Sequence, residues 1–349
     1  MSSNKTFAGN FFEDFRIGQV LKHATPRTVT EGDVALYTAL YGPRFAINSS
    51  DEFARSMGLP RAPVDDILAF HMVFGKTVPD VSLNAVANLG YANGKFGVPV
   101  YPGDTLATTS TVTGLKQNSS GKTGVVYVNS VGKNQHGQVV LEYTRWVMVN
   151  KKDESKPAPE PLTPDLPSAV AAEALLVPPS LKLENYDVTL SGSQFTWGDY
   201  DVGEKIDHVD GMTIEEAEHQ LATRLYQNTA KVHFDQHAAN SGRFKRRLIY
   251  GGHIISLARC LSFNGLGNAF RVLAINGGSH ANPTFAGDTI YAYSEVLDKI
   301  ELPSRGVGAL RVRLVATKNR PAGDFPYKKD GKYDDAVVLD LDYTLALPR

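Results

Sequence analysis

The stretch from Tyr226 to Asp235 contains the residues best suited to chemistry. It reads Y-Q-N-T-A-K-V-H-F-D, and a basic segment separates it from Gly251-Gly252, which opens an apolar helix pattern. His233 has a side chain that titrates near neutral pH and can transfer a proton. Backbone N–H groups at the start of a helix can bind a developing oxyanion. A proton-transfer group beside such donors indicates chemistry on an acyl group.

The composition is that of an ordinary globular protein. The length of 349 residues exceeds the usual size of one core, which predicts two domains. Hydrophobic residues make up 42% and charged residues 21%, and 36 Lys and Arg against 37 Asp and Glu leave a net charge of -1. Because no overall field attracts polyanions, we expect neither a nucleic-acid partner nor a membrane partner.

Cys260 is the only cysteine, which excludes an internal disulfide and a multi-cysteine metal site. Its apolar neighbours predict a small core residue. Residues 1–7 lack the apolar segment of a secretion signal, and no apolar run approaches the roughly 18 residues needed to span a bilayer. We therefore expect a cytoplasmic protein.

The chain repeats itself. Residues 12–18 (F-E-D-F-R-I-G) match residues 197–203 (W-G-D-Y-D-V-G), an offset of 185. Further along, residues 98–105 (V-P-V-Y-P-G-D-T) match residues 282–289 (N-P-T-F-A-G-D-T), an offset of 184. Two copies of one unit in the same order explain the length better than two unrelated domains.

A segment rich in proline and charge separates the two copies. It begins K151-K-D-E-S-K-P-A-P-E-P-L-T-P-D-L-P-S, which can form neither a helix nor a central strand. The predicted organisation is therefore a first domain at 1–150, a linker at 151–185, and a second domain at 186–349 that carries the candidate histidine.

Each copy shows the same order of elements. A capped helix start near Thr28 or Thr213 is followed by an apolar helix, at 64–78 in the first copy and 252–263 in the second. The rest alternates apolar and polar residues at period two, as in V139-V-L-E-Y-T-R-W-V-M-V. The pattern predicts an α+β fold with two tandem antiparallel sheets, each wrapped around one long helix.

Several motifs resemble the MaoC-type dehydratase family. They are F-E-D-F-R-I-G-Q (12–19), T-V-T-E-G-D (28–33) and P-V-Y-P-G-D-T-L (99–106), set in a duplicated layout over nearly the whole chain. Y-G-P-R-F-A-I-N (41–48) and G-L-P-R-A-P-V-D-D (58–66) are similar to mesaconyl-CoA hydratases, also called β-methylmalyl-CoA dehydratases. The resemblance implies a double hot dog fold and the reversible addition of water to an acyl-CoA double bond.

The hydratase signature of that family reads roughly Asp-x-Asn-Pro-aliphatic-His. Laid on this chain, its histidine falls on His233 and its aspartate on Asn228. The repeat places Asn48 at the histidine position of the first copy. The resemblance therefore implies one catalytic histidine, and we expect the first copy to be degenerate for chemistry and to shape a substrate tunnel.

The catalytic partner of His233 stays open at this point. Asn228 can orient a water molecule or the imidazole, but it cannot accept a proton. If a carboxylate is needed, Asp235 is slightly favoured over Asp65 and Asp66. The alternative for His233 itself is a histidine with a purely structural role.

The resemblance also points to groups that bind the thioester oxygen and the anionic parts of the substrate. The helix start of the family corresponds to Gly251-Gly252, so the backbone N–H of Gly252 or His253 is the expected oxyanion donor. The glycine pair could instead permit a tight turn. Arginine suits phosphate and carboxylate recognition, although each candidate could instead be a solvated loop charge. The candidates are Arg44, Arg61 and Arg247.

The resulting prediction is a hydro-lyase that reversibly hydrates mesaconyl-CoA to β-methylmalyl-CoA. Its expected partner is an acyl-CoA thioester substrate, with no metal and no cofactor, and the resemblance implies a homodimer. The alternatives are another MaoC-type enoyl-CoA hydratase, a hot dog acyl-CoA thioesterase, or a non-catalytic acyl-CoA-binding module.

Overall fold

The first copy builds one sheet and one buried helix, in a computed structural model that describes residues 5–303 and 306–349. Its strands are β1 (Val20–Thr28), β2 (Ala85–Phe96), β3 (Thr105–Gln117), β4 (Thr123–Lys133) and β5 (Val139–Asn150). Its helices are α1 (Glu31–Tyr41), α2 (Ala46–Ser49), α3 (Asp51–Ser56) and α4 (Asp66–Thr77), with a 3-10 turn at Phe12–Asp14 and a π-helical turn at Val78–Ser82.

The second copy follows the same plan. Its helices are α5 (Val188–Ser191), α6 (Glu216–Leu225), α7 (Lys231–Phe234), α8 (Gln236–Ala239), α9 (Gly251–Leu261) and α10 (Phe263–Leu266), with a 3-10 turn at Trp197–Asp199. Its strands are β6 (Lys205–Asp207), β7 (Met212–Thr213), β8 (Arg271–His280), β9 (Thr289–Glu301), β10 (Val307–Lys318), β11 (Lys328–Lys329), β12 (Lys332–Tyr333) and β13 (Val337–Pro348). Among the described residues, no helix has the length and apolar character to cross a bilayer.

The two sheets are fused into one antiparallel sheet of 11 strands, in the order β1-β3-β4-β5-β2-β8-β13-β10-β9-β6, with β7 also on β9. The junction is the antiparallel pair β2 and β8, where Tyr91 lies opposite Gly278 and Gly94 opposite Ile275. The repeat offset of 184 converts Tyr91 into Ile275 and Gly94 into Gly278, so it turns each of the two pairs into the other. The junction is therefore self-complementary, like a twofold interface. The predicted α+β double hot dog fold is confirmed, with the refinement that its two sheets are continuous.

The helices α4 and α9 occupy the concave side of the sheet. Every residue of α4 from Ile67 to Thr77 is buried, and so is every residue of α9 from Gly252 to Leu261. A helix that is buried all round belongs to the core rather than to the surface. The two helices also contact each other, which brings the centres of both copies together.

Two matching histidine contacts show the repeat in atomic detail. Nε2 of His23 lies 2.7 Å from the Oγ of Ser110. In the second copy, Nε2 of His208 lies 2.8 Å from the Oγ of Ser294. All four side chains are buried. Because each imidazole ties the N-terminal strand of its copy to the long strand beside it, both histidines have a structural role.

The segment 151–185 is irregular apart from short 3-10 turns at Ala172–Ala174 and Leu183–Asn185. It contacts the first copy through Leu162, whose backbone exchanges hydrogen bonds of 2.8 and 2.9 Å with Leu115. It contacts the second copy where the Val170 N–H donates to Oδ1 of Asn276 at 2.9 Å. The segment thus runs along both halves, and the proposed domain limits stay a prediction because the sheet continues across them.

Gly75 allows α4 to pack directly on the backbone that leads to His233. A Cβ atom at Gly75 would lie 1.7 Å from the carbonyl oxygen of Tyr226. Residue 75 lies within the last turn of α4, which spans Asp66–Thr77, and glycine is otherwise unfavourable inside a helix. Close packing therefore requires a glycine at this position, and this contact fixes the distance between α4 and the loop after α6.

We expect Gly75→Ala to lower the free energy of unfolding by about 1–3 kcal/mol, because overpacking forces backbone shifts of this cost. Urea unfolding followed by circular dichroism measures the effect. Gly198→Ala is the matched control, since a Cβ there meets no atom within 4 Å. Equal unfolding midpoints for the two variants would contradict the packing role of Gly75.

Candidate active site

A cavity of about 330 Å³ lies where the two copies meet. One wall comes from the end of α4, the π-helical turn, β2 and β5, and the other from α7, the start of α9 and β8. Most of the lining is apolar. The polar lining side chains are Ser82, Asn88, Tyr91 and Arg145 from the first copy and Asn228, His233, Tyr250, His280, Asn282 and Thr284 from the second. Neither copy could form this cavity alone.

His233 lies on the short helix α7 and lines the cavity. Its Nδ1 is 2.9 Å from the carbonyl oxygen of Leu248. A carbonyl oxygen only accepts, so Nδ1 carries the hydrogen and Nε2 keeps its lone pair. Burial lowers the pKa of His233 to about 4, opposed by the hydrogen bond to Leu248. The side chain is therefore neutral at pH 7 and is held in the tautomer that a proton acceptor requires.

The start of α9 has two uncommitted backbone donors among the described residues, the N–H groups of Gly251 and Gly252, of which Gly251 belongs to the cavity lining. The N–H of Tyr250 donates to Nε2 of His219 at 2.9 Å, and the N–H of His253 donates to the carbonyl of Tyr250 at 2.9 Å. Within the described ranges, the N–H of Gly251 has no acceptor in a turn, cap or side chain. Gly251 lines the cavity, so its N–H is the best placed to bind an oxyanion.

The N–H of His253 is already bonded to the Tyr250 carbonyl, whereas the N–H of Gly252 stays a predicted oxyanion donor beside that of Gly251. His253 is buried, and its Nδ1 lies 2.7 Å from the Tyr41 hydroxyl. A Cβ at Gly252 would lie 2.3 Å from the Tyr250 ring and 2.5 Å from the His71 ring. Both residues thus pack against aromatic side chains at the first turn of α9.

Asn228 and Asp235 have different surroundings. Asn228 is buried and lines the cavity, and its Oδ1 accepts a hydrogen bond of 3.0 Å from the Ala230 N–H. Asp235 accepts a hydrogen bond of 2.9 Å from the Ala238 N–H and thereby caps α8. Asp235 does not line the cavity. The structure brings Asn228 to the cavity, whereas the catalytic role of Asp235 stays a prediction.

Asp65 and Asp66 also lie away from the cavity. Asp65 caps α4 by accepting a 2.8 Å hydrogen bond from the Ile67 N–H. Asp66 accepts a 2.9 Å hydrogen bond from the Val272 N–H. Among the described residues that line the cavity, none is an aspartate or a glutamate. The proton acceptors available in this site are therefore imidazoles and not carboxylates.

Each of the three arginines expected to bind substrate has another partner. Arg44 stacks over the ring of Phe263 with its guanidinium carbon 4.4 Å from the ring centre. Arg61 pairs with a glutamate of α1 at 2.6 Å, and Arg247 pairs with a glutamate of α6 at 2.8 Å. None of them lines the cavity. A role for these three in binding the anionic parts of the substrate therefore stays a prediction.

Two ionisable residues that sequence reasoning missed line the cavity instead. Arg145 lies on β5, at an inward position between Tyr143 and Val147, where period two predicts an apolar side chain. A charged residue at a position where the strand pattern predicts an apolar one is a sequence signal that could have identified Arg145 as a candidate site residue. His280 ends β8, and a Cβ at Gly251 would lie 2.4 Å from its ring. Its position beside the helix start follows only from the sheet register.

The corresponding place in the first copy is closed. The amide nitrogen of Asn48 donates to the Pro63 carbonyl at 3.0 Å, which repeats the contact of His233 with Leu248 under the offset of 185. The space beside Asn48 is only about 10 Å³, because Pro178 and Leu181 help to fill it. The backbone framework is thus duplicated, whereas the substrate-sized cavity is not.

The arrangement suits proton transfer next to a carbonyl group. A neutral imidazole, a free helix-terminal N–H and apolar walls lie in one cavity, and electrostatic interactions are stronger beside apolar walls than in bulk water. The described residues contain no group of three or more His, Cys, Asp or Glu side chains placed to hold a metal ion.

Known proteins closely resemble the chain over its full length. A family model described as mesaconyl-CoA hydratase matches residues 3–324. The chain is 66% identical over 349 residues to a beta-methylmalyl-CoA dehydratase of Chloroflexus aurantiacus, covering 99% of both proteins. It is 61% identical over 345 residues to a mesaconyl-CoA hydratase of Cereibacter sphaeroides, covering 99% of this chain and 100% of that relative.

A solved structure has the same architecture as this chain. A MaoC domain protein dehydratase from Chloroflexus aurantiacus superposes with a TM-score of 0.97 at 66% identity, with 99% of both chains covered. Sequence and architecture therefore agree. The chain belongs to the mesaconyl-CoA hydratase family.

Proposed function

We propose that the protein reversibly adds water to the double bond of mesaconyl-CoA and forms β-methylmalyl-CoA. One observation carries the proposal: the neutral His233, with a free Nε2, lines the same cavity as the uncommitted N–H of Gly251. Two relatives that are 66% and 61% identical carry the names of this reaction in its two directions. The substrate is an acyl-CoA thioester, and the residues described supply the acid-base chemistry.

The reaction needs a base for water and a donor for the thioester oxygen. Nε2 of His233 removes a proton from water while the water oxygen bonds to the β-carbon of the double bond. Electron density moves to the thioester oxygen, where the Gly251 N–H stabilises the enolate. The imidazolium then gives its proton to the α-carbon, which restores the neutral histidine and completes the addition of H₂O. In the reverse direction the same groups remove water.

This scheme explains why a single histidine suffices where a family aspartate is replaced by Asn228. Burial makes the imidazole neutral, and the Leu248 carbonyl fixes its tautomer, so no carboxylate is needed for either purpose. Asn228 binds the Ala230 N–H at the start of α7. We assign Asn228 to positioning the helix that carries His233, and Asp235 to capping the next helix.

The role of the first copy and the oligomeric state belong to the same proposal. The first copy shapes the tunnel, since it supplies one wall of the cavity while its own counterpart is closed. Family membership supports a homodimer, which light scattering on the purified protein measures. Cytoplasmic location stays a prediction from sequence.

We expect His233→Ala to lower the rate of mesaconyl-CoA hydration by about 10²–10⁴-fold, the usual effect of losing a general acid-base group. The loss of ultraviolet absorbance of the conjugated thioester measures hydration, while a thiol reagent records release of CoA. The matched control is Asp235→Asn, which keeps an oxygen to cap α8 and removes the carboxylate. Its rate should remain within about threefold of the wild type.

Other results would identify the rival functions. Thiol release by the wild type would indicate a thioesterase, and binding without any change of the acyl group would indicate an acyl-CoA-binding module. Wild-type hydration of unbranched enoyl-CoA in preference to mesaconyl-CoA would favour another enoyl-CoA hydratase. Equal losses in His233→Ala and Asp235→Asn would refute the assignment of a single histidine.

The pH dependence of kcat/KM tests the neutral state of His233. The active form is the unprotonated imidazole, which is lost as pH falls through the folded-state pKa of about 4. We therefore expect kcat/KM to be level through neutral pH and to fall only well below the ordinary histidine pKa of about 6.5. An acidic limb near pH 6.5 in correctly folded enzyme would contradict the burial of this group.

Rates in this experiment are measured immediately after dilution from neutral stock. Burial lowers the pKa of His71 and His253 to about 3 and of His219 to about 2. As pH falls below the unfolded-state histidine pKa of about 6.5, these histidines become protonated in the unfolded chain but stay neutral in the folded chain. The free energy of unfolding therefore declines as pH falls. Circular dichroism at each pH separates unfolding from titration of His233.

A further inference from the structure

Arg145 is a fully buried cation in the wall of the candidate active site. Its side chain is 0% exposed and lines the cavity. Nη2 donates to Oγ1 of Thr77 at 2.7 Å, and both terminal nitrogens lie 3.3–3.4 Å from Oγ of Ser82. The guanidinium carbon lies 4.3 Å from the centre of the Phe74 ring. Hydroxyl groups and an aromatic face therefore hold the side chain in place but supply no negative charge.

Arg145 differs in this respect from the arginines of the second copy's sheet. Arg311 pairs with Asp342 at 2.6 Å, and Arg313 pairs with Glu295 at 2.7 Å. Within residues 5–303 and 306–349, no carboxylate lies within 4.0 Å of the Arg145 guanidinium. Burial lowers the pKa of Arg145, yet a guanidinium stays charged near neutral pH. A buried charge without a counter-charge is unfavourable. The position of Arg145 in the cavity wall therefore favours the binding of an anionic group.

Other polar atoms in the same cavity also lack partners. Nε of Arg145, both side-chain polar atoms of Asn88 and Nδ1 of His280 are buried without a hydrogen bond. All three residues line the cavity. Buried polar groups are nearly always satisfied in native proteins. Several unsatisfied groups in one cavity therefore point to a polar ligand that completes them.

We propose that Arg145, flanked by Asn88, binds the carboxylate at the far end of the acyl group and selects dicarboxylic acyl-CoA over simple enoyl-CoA. The inference rests on the proposed function and names a specificity determinant of the same site. In mesaconyl-CoA this carboxylate is attached to the carbon that water attacks. Holding it on Arg145 fixes that carbon in the cavity that His233 lines.

A matched pair of substrates isolates the carboxylate. Mesaconyl-CoA and trans-2-methylcrotonyl-CoA have the same double bond and methyl branch, and differ only where a carboxylate replaces a methyl group. The wild type should favour mesaconyl-CoA in kcat/KM. Arg145→Met, which keeps much of the volume, should lower that preference by about 100-fold or more, because losing one partner of a buried charge pair has effects of this size. Its rate with trans-2-methylcrotonyl-CoA should not fall.

The variants Asn88→Leu and Arg44→Gln complete the design. Asn88→Leu should reduce the preference in the same direction by about tenfold, the usual effect of one hydrogen bond to a charged group. Arg44→Gln should keep the wild-type preference, because Arg44 lies on Phe263 outside the cavity. If Arg145→Met does not fold, as judged by circular dichroism, Arg145→Lys replaces it and should lose part of the preference.

Two results would overturn the inference. One is an equal loss for both substrates in folded Arg145→Met, which would mean that Arg145 only supports Thr77 and Ser82. The other is an unchanged preference. If the wild type hydrates neither substrate, the proposed function fails separately, and calorimetry with succinyl-CoA and butyryl-CoA still tests Arg145. Tighter binding of succinyl-CoA by the wild type, but not by Arg145→Met, supports the inference, and equal affinities in the wild type refute it.

Discussion

The antiparallel contact between β2 and β8 is the interaction on which the rest of the structure depends. It joins five strands of the first copy and six of the second into one sheet with a self-complementary register, Tyr91 opposite Gly278 and Gly94 opposite Ile275. The register brings α4 and α9 into contact on the same face. It also places the end of the first helix beside the start of the second. The cavity opens at this boundary, so its walls come from segments far apart in the chain.

The two copies have kept one framework while their side chains have diverged. His233 and Asn48 both donate to the carbonyl of the loop that precedes the central helix of their copy. At the helix start itself, however, Gly251 leaves an N–H free toward a cavity, whereas Asp66 binds the backbone of β8. The same geometry therefore leaves a helix start open to a cavity in one copy and gives an internal structural contact in the other.

Sequence reasoning succeeded where the signal was local or repeated. Period-two strands, two apolar helices and the duplicated motifs predicted the fold, and the -Val-His- segment led to a histidine that does line the cavity. Arg145 and His280 were missed because their meeting with His233 depends on sheet pairing and not on spacing along the chain. Neighbouring residues in the sequence led to the choice of Arg44, Arg61 and Arg247. In the folded chain, each of the three contacts an aromatic ring or a glutamate outside the cavity.

The closed space beside Asn48 has a consequence for how the protein responds to its ligand. Pro178 and Leu181 belong to the connecting segment 151–185. They help to fill the place where a second cavity would form by symmetry. We therefore expect a chain built from two homologous halves to bind one acyl group at these two related places rather than two. Saturation of a single chain must follow a simple hyperbola, and any sigmoidal response would have to arise between chains rather than between the halves of one chain.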